Sequence, residues 1–431
     1  MTVTPEMFGA QCDGVCDDGP AIQAALNASQ YVELTTGKTY YPRSTIFMPS
    51  SRSVLEGDAS IFVDKAYFNN NNPYKAGDAR IASVNAGAGG WNLNQAGRYG
   101  ASAVVLAITG SQTAGGPRNV GSKVRGIRFI GDAGPGLVRN VIFAKNTEDL
   151  EISECSITGF GMGYGILLGG CKNYSLLRNK IYDCIETGIY PATACGDAAN
   201  CAPNVTAIGT TDDFMADFGV STYGTIADNR IDNIHFAGAG LSRHGDQSDG
   251  INLAQMAQTS LVQITGNKIS SVAEGMDIFE KFCQINGNTL VSCGVFGLKF
   301  IYGASFNTIN GNTVLNSGAA AMVFDSPSGY ETRSNTGVGN VLYNAKSANP
   351  VYDDNGLIQL SSSGSGSTHS NSITGGNYAA VDAKTYIRNT ANVGSNPNNT
   401  VGGRFNGPGK HSDPNQQYCS HSSAGFAWAA A

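Results

Sequence analysis

The sequence predicts an all-β chain wound as a parallel β-helix, and three observations carry that expectation. The 56 glycines, the 14% of charged residues and the frequent Asn, Ser and Thr suit many short strands joined by tight turns rather than packed helices. Six segments, RNKIYD, DNRIDN, GNKISS, GNTLVS, GNTVLN and GNVLYN, share an asparagine ahead of an apolar strand, at Asn179, Asn229, Asn267, Asn288, Asn312 and Asn340. The last four lie 21, 24 and 28 residues apart. A period in the twenties with short strands and no helical phase is the mark of stacked β-coils, each burying its apolar face on the next. Third, glycine-led strands in the middle of the chain alternate with a period of two.

The chain opens with residues 7–26, MFGAQCDGVCDDGPAIQAAL, a Gly and Asp loop leading into an amphipathic helix with Ile22, Ala25 and Leu26 on one face. Asp17 or Asp18 caps that helix by accepting from its orphan amides, and Pro20 suits its first turn. This segment resembles FGAxGDGxxDDxxAIQxAL, the opening of the pectate-lyase-like right-handed β-helix superfamily, with Cys12 where the pattern has Gly. TPEMFGA is similar to the form common in phage tailspike and polysaccharide-depolymerase proteins. The resemblance implies a right-handed, single-stranded solenoid with an N-terminal capping helix. It also implies that the acidic pair is a structural cap rather than a metal site, and that the protein is a homotrimer acting outside the cell or on a virion.

Residues 1–30 are thus expected to form the cap and 31–345 the β-helix. Two loop insertions are expected: 66–100, too polar and Gly-rich for regular core, and 191–224, which interrupts the coils. After about residue 345 the period fades, so 346–431 are expected as irregular last coils or a small C-terminal module.

Setting the glycines in register aligns GILLGG, GIYPAT, GINLAQ, GMDIFE, GLKFIY and AMVFDS. Residues one and three past the glycine are apolar throughout and form the buried face. The residue two past it faces out: Leu167, Tyr190, Asn252, Asp277, Lys299 and Val323. The residue before it gives a second ladder, Tyr164, Thr187, Asp249, Glu274 and Phe296. Strict alternation would turn Asp249 and Glu274 inward. The cost of burying lone carboxylates favours a glycine turn that resets the phase and faces them out.

On neighbouring coils ~4.8 Å apart, Asp249, Glu274 and Asp277 then form a carboxylate cluster. Such a cluster keeps a proton on one member while another stays ionised, which is what glycoside hydrolysis requires of its acid and its base or nucleophile. Glu274 and Asp249 are the expected acid and base pair, with Asp277 able to replace either. Tyr190, Asn252, Lys299, Glu280, and Arg243, His244 and Asp246 in the preceding loop, are the expected substrate contacts. SDGI is also similar to the NTDGI element of polygalacturonase-type hydrolases, with Asp249 in the Asp position. The Gly-His-Gly and Arg-Ile-Lys elements of that family are missing, which argues against a polygalacturonase proper. A Glu on one coil with Asp residues three apart is similar to the acidic clusters of tailspike endoglycosidases.

The expected function is an endo-acting polysaccharide depolymerase of the glycoside-hydrolase class, cleaving a bacterial capsular or exopolysaccharide. Two alternatives stand beside it. One is a lyase or epimerase of uronic-acid units, with Lys299 or Arg243 neutralising, His244 abstracting and Tyr190 donating a proton. The other is a non-catalytic carbohydrate-binding adhesin.

The net charge of −6 and the lack of a basic run argue against nucleic acid as a partner. No apolar run is long enough to span a bilayer, and the start lacks the charged and apolar regions of a secretory signal. The ten cysteines follow neither a zinc pattern nor a dense disulfide framework, and most are expected as free, buried small hydrophobes. No cofactor and no metal ligand set is expected.

Overall fold

Short alternating strands separated by turn residues stack here in parallel, coil upon coil. The structure, a computed structural model, describes residues 2–48, 50–64, 66–68, 103–111, 113–132, 138–186, 205–211, 214–236, 248–344, 357–380, 385–390, 399–406 and 410–412. A representative coil runs through Glu274–Ile278, Gln284–Asn286 and Thr289–Val291 before the next begins at Phe296–Phe300. The first strand of each coil joins a 12-stranded parallel sheet that extends from Ile46–Met48 to Lys410–Ser412. The two short strands of each coil build the other faces of a right-handed single-stranded parallel β-helix.

The interior is a single apolar column. Ile251, Met276, Leu298 and Met322 stack in register from the long sheet, facing Ile264, Ile285 and Ile309 from a short one. At the N-terminal end, helix Gly19–Ala28 lays Ile22, Ala25 and Leu26 over this core. The acidic pair ahead of it holds backbone amides. Asp17 accepts from Gly19 N at the start of the helix and from Arg43 N, each at 2.9 Å. Asp18 accepts from Gln11, Cys12 and Tyr41 amides and ties the loop to the first coil instead of capping the helix.

Two corners carry asparagine ladders. Asn179, Asn229, Asn267, Asn288, Asn312 and Asn340 are buried, and each side-chain amide donates to the next Oδ1 at 2.9–3.1 Å. The same Oδ1 accepts the backbone N–H of the preceding asparagine. A second ladder, Asn307, Asn335, Asn371 and Asn399, repeats the arrangement at another corner. The left-handed backbone of this corner lies one residue ahead of each ladder asparagine, at Arg178, Asp228, Gly266, Gly287, Gly311 and Gly339. The corner residue makes the turn, which leaves the asparagine free to point inward and bond along the axis.

The stretch 191–224, expected as an inserted loop, contains a strand of the long sheet, Val205–Thr211, paired between Met162–Gly169 and Ser248–Leu253. The register position of this rung is Ala207 rather than glycine, so a glycine search slips to GIYPAT. After residue 357, Ile358–Ser362, Thr385–Thr390 and Ser372–Ala380 continue the same stacks. Most of 66–100 lies outside the described residues. Among the described cysteines, Cys155, Cys171, Cys184, Cys283 and Cys293 are free and buried, and Cys12 and Cys16 are free.

Asn288→Ala removes one rung of the first ladder. It strips the acceptor from two Asn267 donors and a donor from both Ile264 O and Asn312 Oδ1. The expected loss is about 3 kcal/mol of stability, read from chemical denaturation. Lys268→Ala, at an exposed position on the neighbouring strand, is expected to change it by less than about 0.5 kcal/mol.

Candidate active site on the long sheet

Glycines in the long sheet decide which way the acidic residues face. A Cβ on Gly250 would lie 2.5 Å from Gly275 O; one on Gly275 would lie 2.3 Å from a Leu290 methyl and 2.6 Å from Gly297 O. These positions therefore point inward, where only a residue without a side chain fits. They are not turns: Ser248–Leu253 and Glu274–Ile278 run as continuous strands through them. The pairing passes from Asp249↔Glu274 to Ile251↔Met276 and skips the glycines. Glycine and the next residue both face in, which puts Asp249 and Asn252 on the same outer side. Asn252 Nδ2 donates to Asp249 Oδ2 at 2.8 Å.

Asp249, Glu274 and Asp277 come together, with one oxygen of each within 4.8 Å of the others. Lys299, on the next rung, places Nζ 2.9 Å from Glu274 Oε2 and 3.1 Å from Asp277 Oδ2. Asp249 Oδ2 also takes a long bond from Thr206 Oγ1 at 3.4 Å. Apolar groups flank the cluster on the same outer face. Tyr164, Leu167, Phe214 and Phe218 pack on the earlier coils, and Phe296, Ala320 and Val323 on the later ones.

Asp249 and Asp277 are fully buried, whereas Glu274 keeps 6% exposure. Burial first, and the Glu274 carboxylate second, push Asp249 up to about 7 against the opposing pull of Asn252, Lys299 and Thr206. Burial also drives Asp277 well above the ordinary carboxylate range, although Lys299 draws it down. Burial acts to lower Lys299, but Asp277 and Glu274 outweigh it, so the side chain is held above its ordinary value as an ammonium. One ammonium cannot neutralise three carboxylates in a dry site, which favours a proton on Asp249 or Asp277. Asp249 Oδ1, Asp277 Oδ1 and Asn252 Oδ1 are buried with no hydrogen-bond partner among the described residues.

The other sequence candidates fare differently. Tyr190, Arg243, His244 and Asp246 lie outside the described residues. The rung assigned to Tyr190 is filled by Gly209, and that assigned to Thr187 by Thr206. Glu280 is not with the cluster: it is fully buried and accepts from Thr210 Oγ1 at 2.7 Å and Gln255 Nε2 at 2.8 Å. Alternation from inward Ile278 turns Phe279 out and Glu280 in. Sequence reasoning missed Thr206 and an aromatic row at the strand ends. In that row Tyr302 packs edge-on against Phe279 (4.9 Å) and Tyr330 (5.3 Å). Burial raises the Tyr302 hydroxyl, and Lys299 and Asp277 are close enough to act on it. Its signal was its position, three residues past Lys299 in GLKFIYG.

With this geometry in hand, comparison with solved structures places the fold. The Dettilon tailspike protein superimposes with a TM-score of 0.63 at 18% identity, covering 97% of this chain and 68% of the tailspike. The chain has the right-handed parallel β-helix fold of a phage tailspike. The surface adhesin PfbA of Streptococcus pneumoniae shares that fold (TM-score 0.57, 15% identity, 95% of this chain and 91% of PfbA). So does a DFA-IIIase from Arthrobacter chlorophenolicus A6, solved with DFA-III (0.56, 12%, 91% and 86%). No family model and no curated protein sequence matches the chain.

Because Asp249 is raised by folding, the native state holds its proton between the unfolded value of ~3.9 and about 7, and unfolding releases it. This group's contribution therefore declines as pH rises through that window. Asp249→Asn is expected to gain stability over the parent as pH rises from about 4 to about 8, by on the order of 3–4 kcal/mol. Thermal midpoints of both proteins across that range check it; a constant difference contradicts it.

Proposed function

We propose that this protein is a polysaccharide depolymerase, an endo-acting glycoside hydrolase whose acid and base are Asp249 and Glu274. The observation that carries the reading is three carboxyl groups with oxygens within 4.8 Å of one another, served by a single ammonium. Asp249 holds its proton up to about pH 7 and has no bond to Lys299, which suits a general acid. Glu274 is the one member with exposure and is oriented by Lys299 at 2.9 Å, which suits the base or nucleophile. Asp277 holds Lys299 in place and adds to the proton store. The buried acceptors without partners suit donation from sugar hydroxyls.

Lys299 also favours hydrolase over lyase. Eliminative chemistry on a uronate needs a cation free to neutralise the substrate carboxylate, whereas the charge of Lys299 is already shared between Glu274 and Asp277. The tailspike likeness extends the proposal to a homotrimer on a virion or outside the cell, acting on a bacterial capsular or exopolysaccharide. Light scattering on the purified chain tests the trimer.

A panel of purified capsular and exopolysaccharides, assayed for new reducing ends and for the ultraviolet absorbance of unsaturated uronates, identifies substrate and class together. Reducing ends without that absorbance are expected; absorbance would mean a lyase, and binding without either product an adhesin. On the substrate found, Asp249→Asn and Glu274→Gln are each expected to lower the rate by about 10²–10⁴-fold. The rate of the parent should fall as pH rises through about 7, where Asp249 gives up its proton.

A further inference from the structure

A second feature lies just past the carboxylates, where the strands of the long sheet end. A cavity of about 380 Å³ is lined there by Lys281, Ser305, Phe306, Tyr330, Glu331 and Arg333, among others. Lys281 comes four positions after Asp277 in the chain, a span of at most ~13 Å. Tyr302 joins the two places, edge-on to Tyr330 and within electrostatic reach of Lys299 and Asp277.

The charges of the cavity are unevenly matched. Arg333 Nε pairs with Glu331 at 3.0 Å and its guanidinium lies 5.1 Å from the centre of the Phe306 ring. Glu331 is further approached by His369 at 3.8 Å. Lys281 has no ion pair among the described residues, so a cation faces the cavity without a counter-charge. The Tyr330 ring is held by its hydroxyl, which donates to Met256 Sδ at 3.5 Å.

The aromatic rim is left open to solvent. Phe282 and Phe306 sit at left-handed corners, φ 61° and 59°, stacked at 5.0 Å and exposed by 42% and 36%. The left-handed backbone belongs to the corner, since Tyr223, Leu261, Ser334 and Ser370 adopt it as well; what sets Phe282 and Phe306 apart is that two exposed rings stack there. A stacked pair of rings left facing solvent, one of them lining the cavity, suits a binding role.

Resting on the depolymerase reading, we propose that this cavity is a subsite for an acidic sugar unit of the same glycan, with Lys281 taking its carboxylate and Phe306 and Tyr330 its apolar ring face. Aromatic faces with one placed charge are the composition of a site that fixes both position and identity of a ligand. The row Phe279, Tyr302 and Tyr330 leads the glycan from there to the carboxylates.

Isothermal titration of the full chain with trigalacturonate and with maltotriose tests this. Trigalacturonate is expected to bind more tightly than maltotriose. Lys281→Gln should weaken trigalacturonate about tenfold, and Lys281→Arg should retain it. Equal affinity for the two trisaccharides, binding of neither, or binding unmoved by Lys281→Gln overturns the subsite. Cleavage abolished by Asp249→Asn with binding unmoved by Lys281→Gln sinks the subsite and leaves the depolymerase standing. Uronate binding lost in Lys281→Gln, with Asp249→Asn as active as the parent, supports the subsite and sinks the assignment of Asp249.

Discussion

Stacking in register is the constraint on which the rest of this molecule depends. In a parallel solenoid each residue sits over its equivalent one strand spacing away, so a residue type is chosen for a column rather than for a site. The register column of the long sheet, Gly165, Ala207, Gly250, Gly275, Gly297 and Ala321, stays small because the carbonyl of the next coil comes within 2.6 Å of where a Cβ would stand on its glycines. The column beside it is Ile, Met and Leu because it fills the core. The corner column is asparagine because it must satisfy two backbones at once, as Asn288 does with Asn267 N and Ile264 O.

Applied to charged residues, the same constraint produces the candidate site. Asp249 and Glu274 are direct neighbours in one column, and Asp277 and Lys299 in the other. No choice of rotamer can separate like charges held one strand spacing apart, so the cluster must be neutralised by a proton, a cation or both. Lys299 supplies the cation from the next coil, and burial supplies the pressure to keep a proton. The apolar rungs on either side deepen that effect by keeping the cluster dry.

Much of this was legible in the sequence because columns leave periodic marks. The asparagine spacing carried the fold. The glycine register placed Asn252, Asp277 and Lys299 in one column, and the cost of burying a lone carboxylate argued for the outward phase of Asp249 and Glu274. The mechanism of that phase was not legible: a turn was expected, whereas the strand runs straight through and fits two inward residues in succession. The rung at Val205–Thr211 was hidden because Ala207 does the work of glycine there and its outer position is Gly209, which carries no side chain to notice. Glu280 misled because acidity was read without counting on from Ile278. Phe282 and Phe306 carry no pattern that distinguishes an exposed corner from a core strand.

The identity of the counter-charge also bears on what the cluster can do. Three carboxyl oxygens within 4.8 Å offer the donor set of a hard divalent cation. A cation bound there would have to displace the Lys299 ammonium from two contacts of 2.9 and 3.1 Å or accept a like charge at its side. A covalently attached ammonium needs no loading and cannot dissociate, and unlike a metal it leaves the far oxygens of Asp249 and Asp277 uncommitted. A proton can then rest on one of those oxygens at neutral pH, which a metal drawing on all three carboxylates would prevent. The stacked lysine thus turns a column of repelling acids into a site able to give and take a proton.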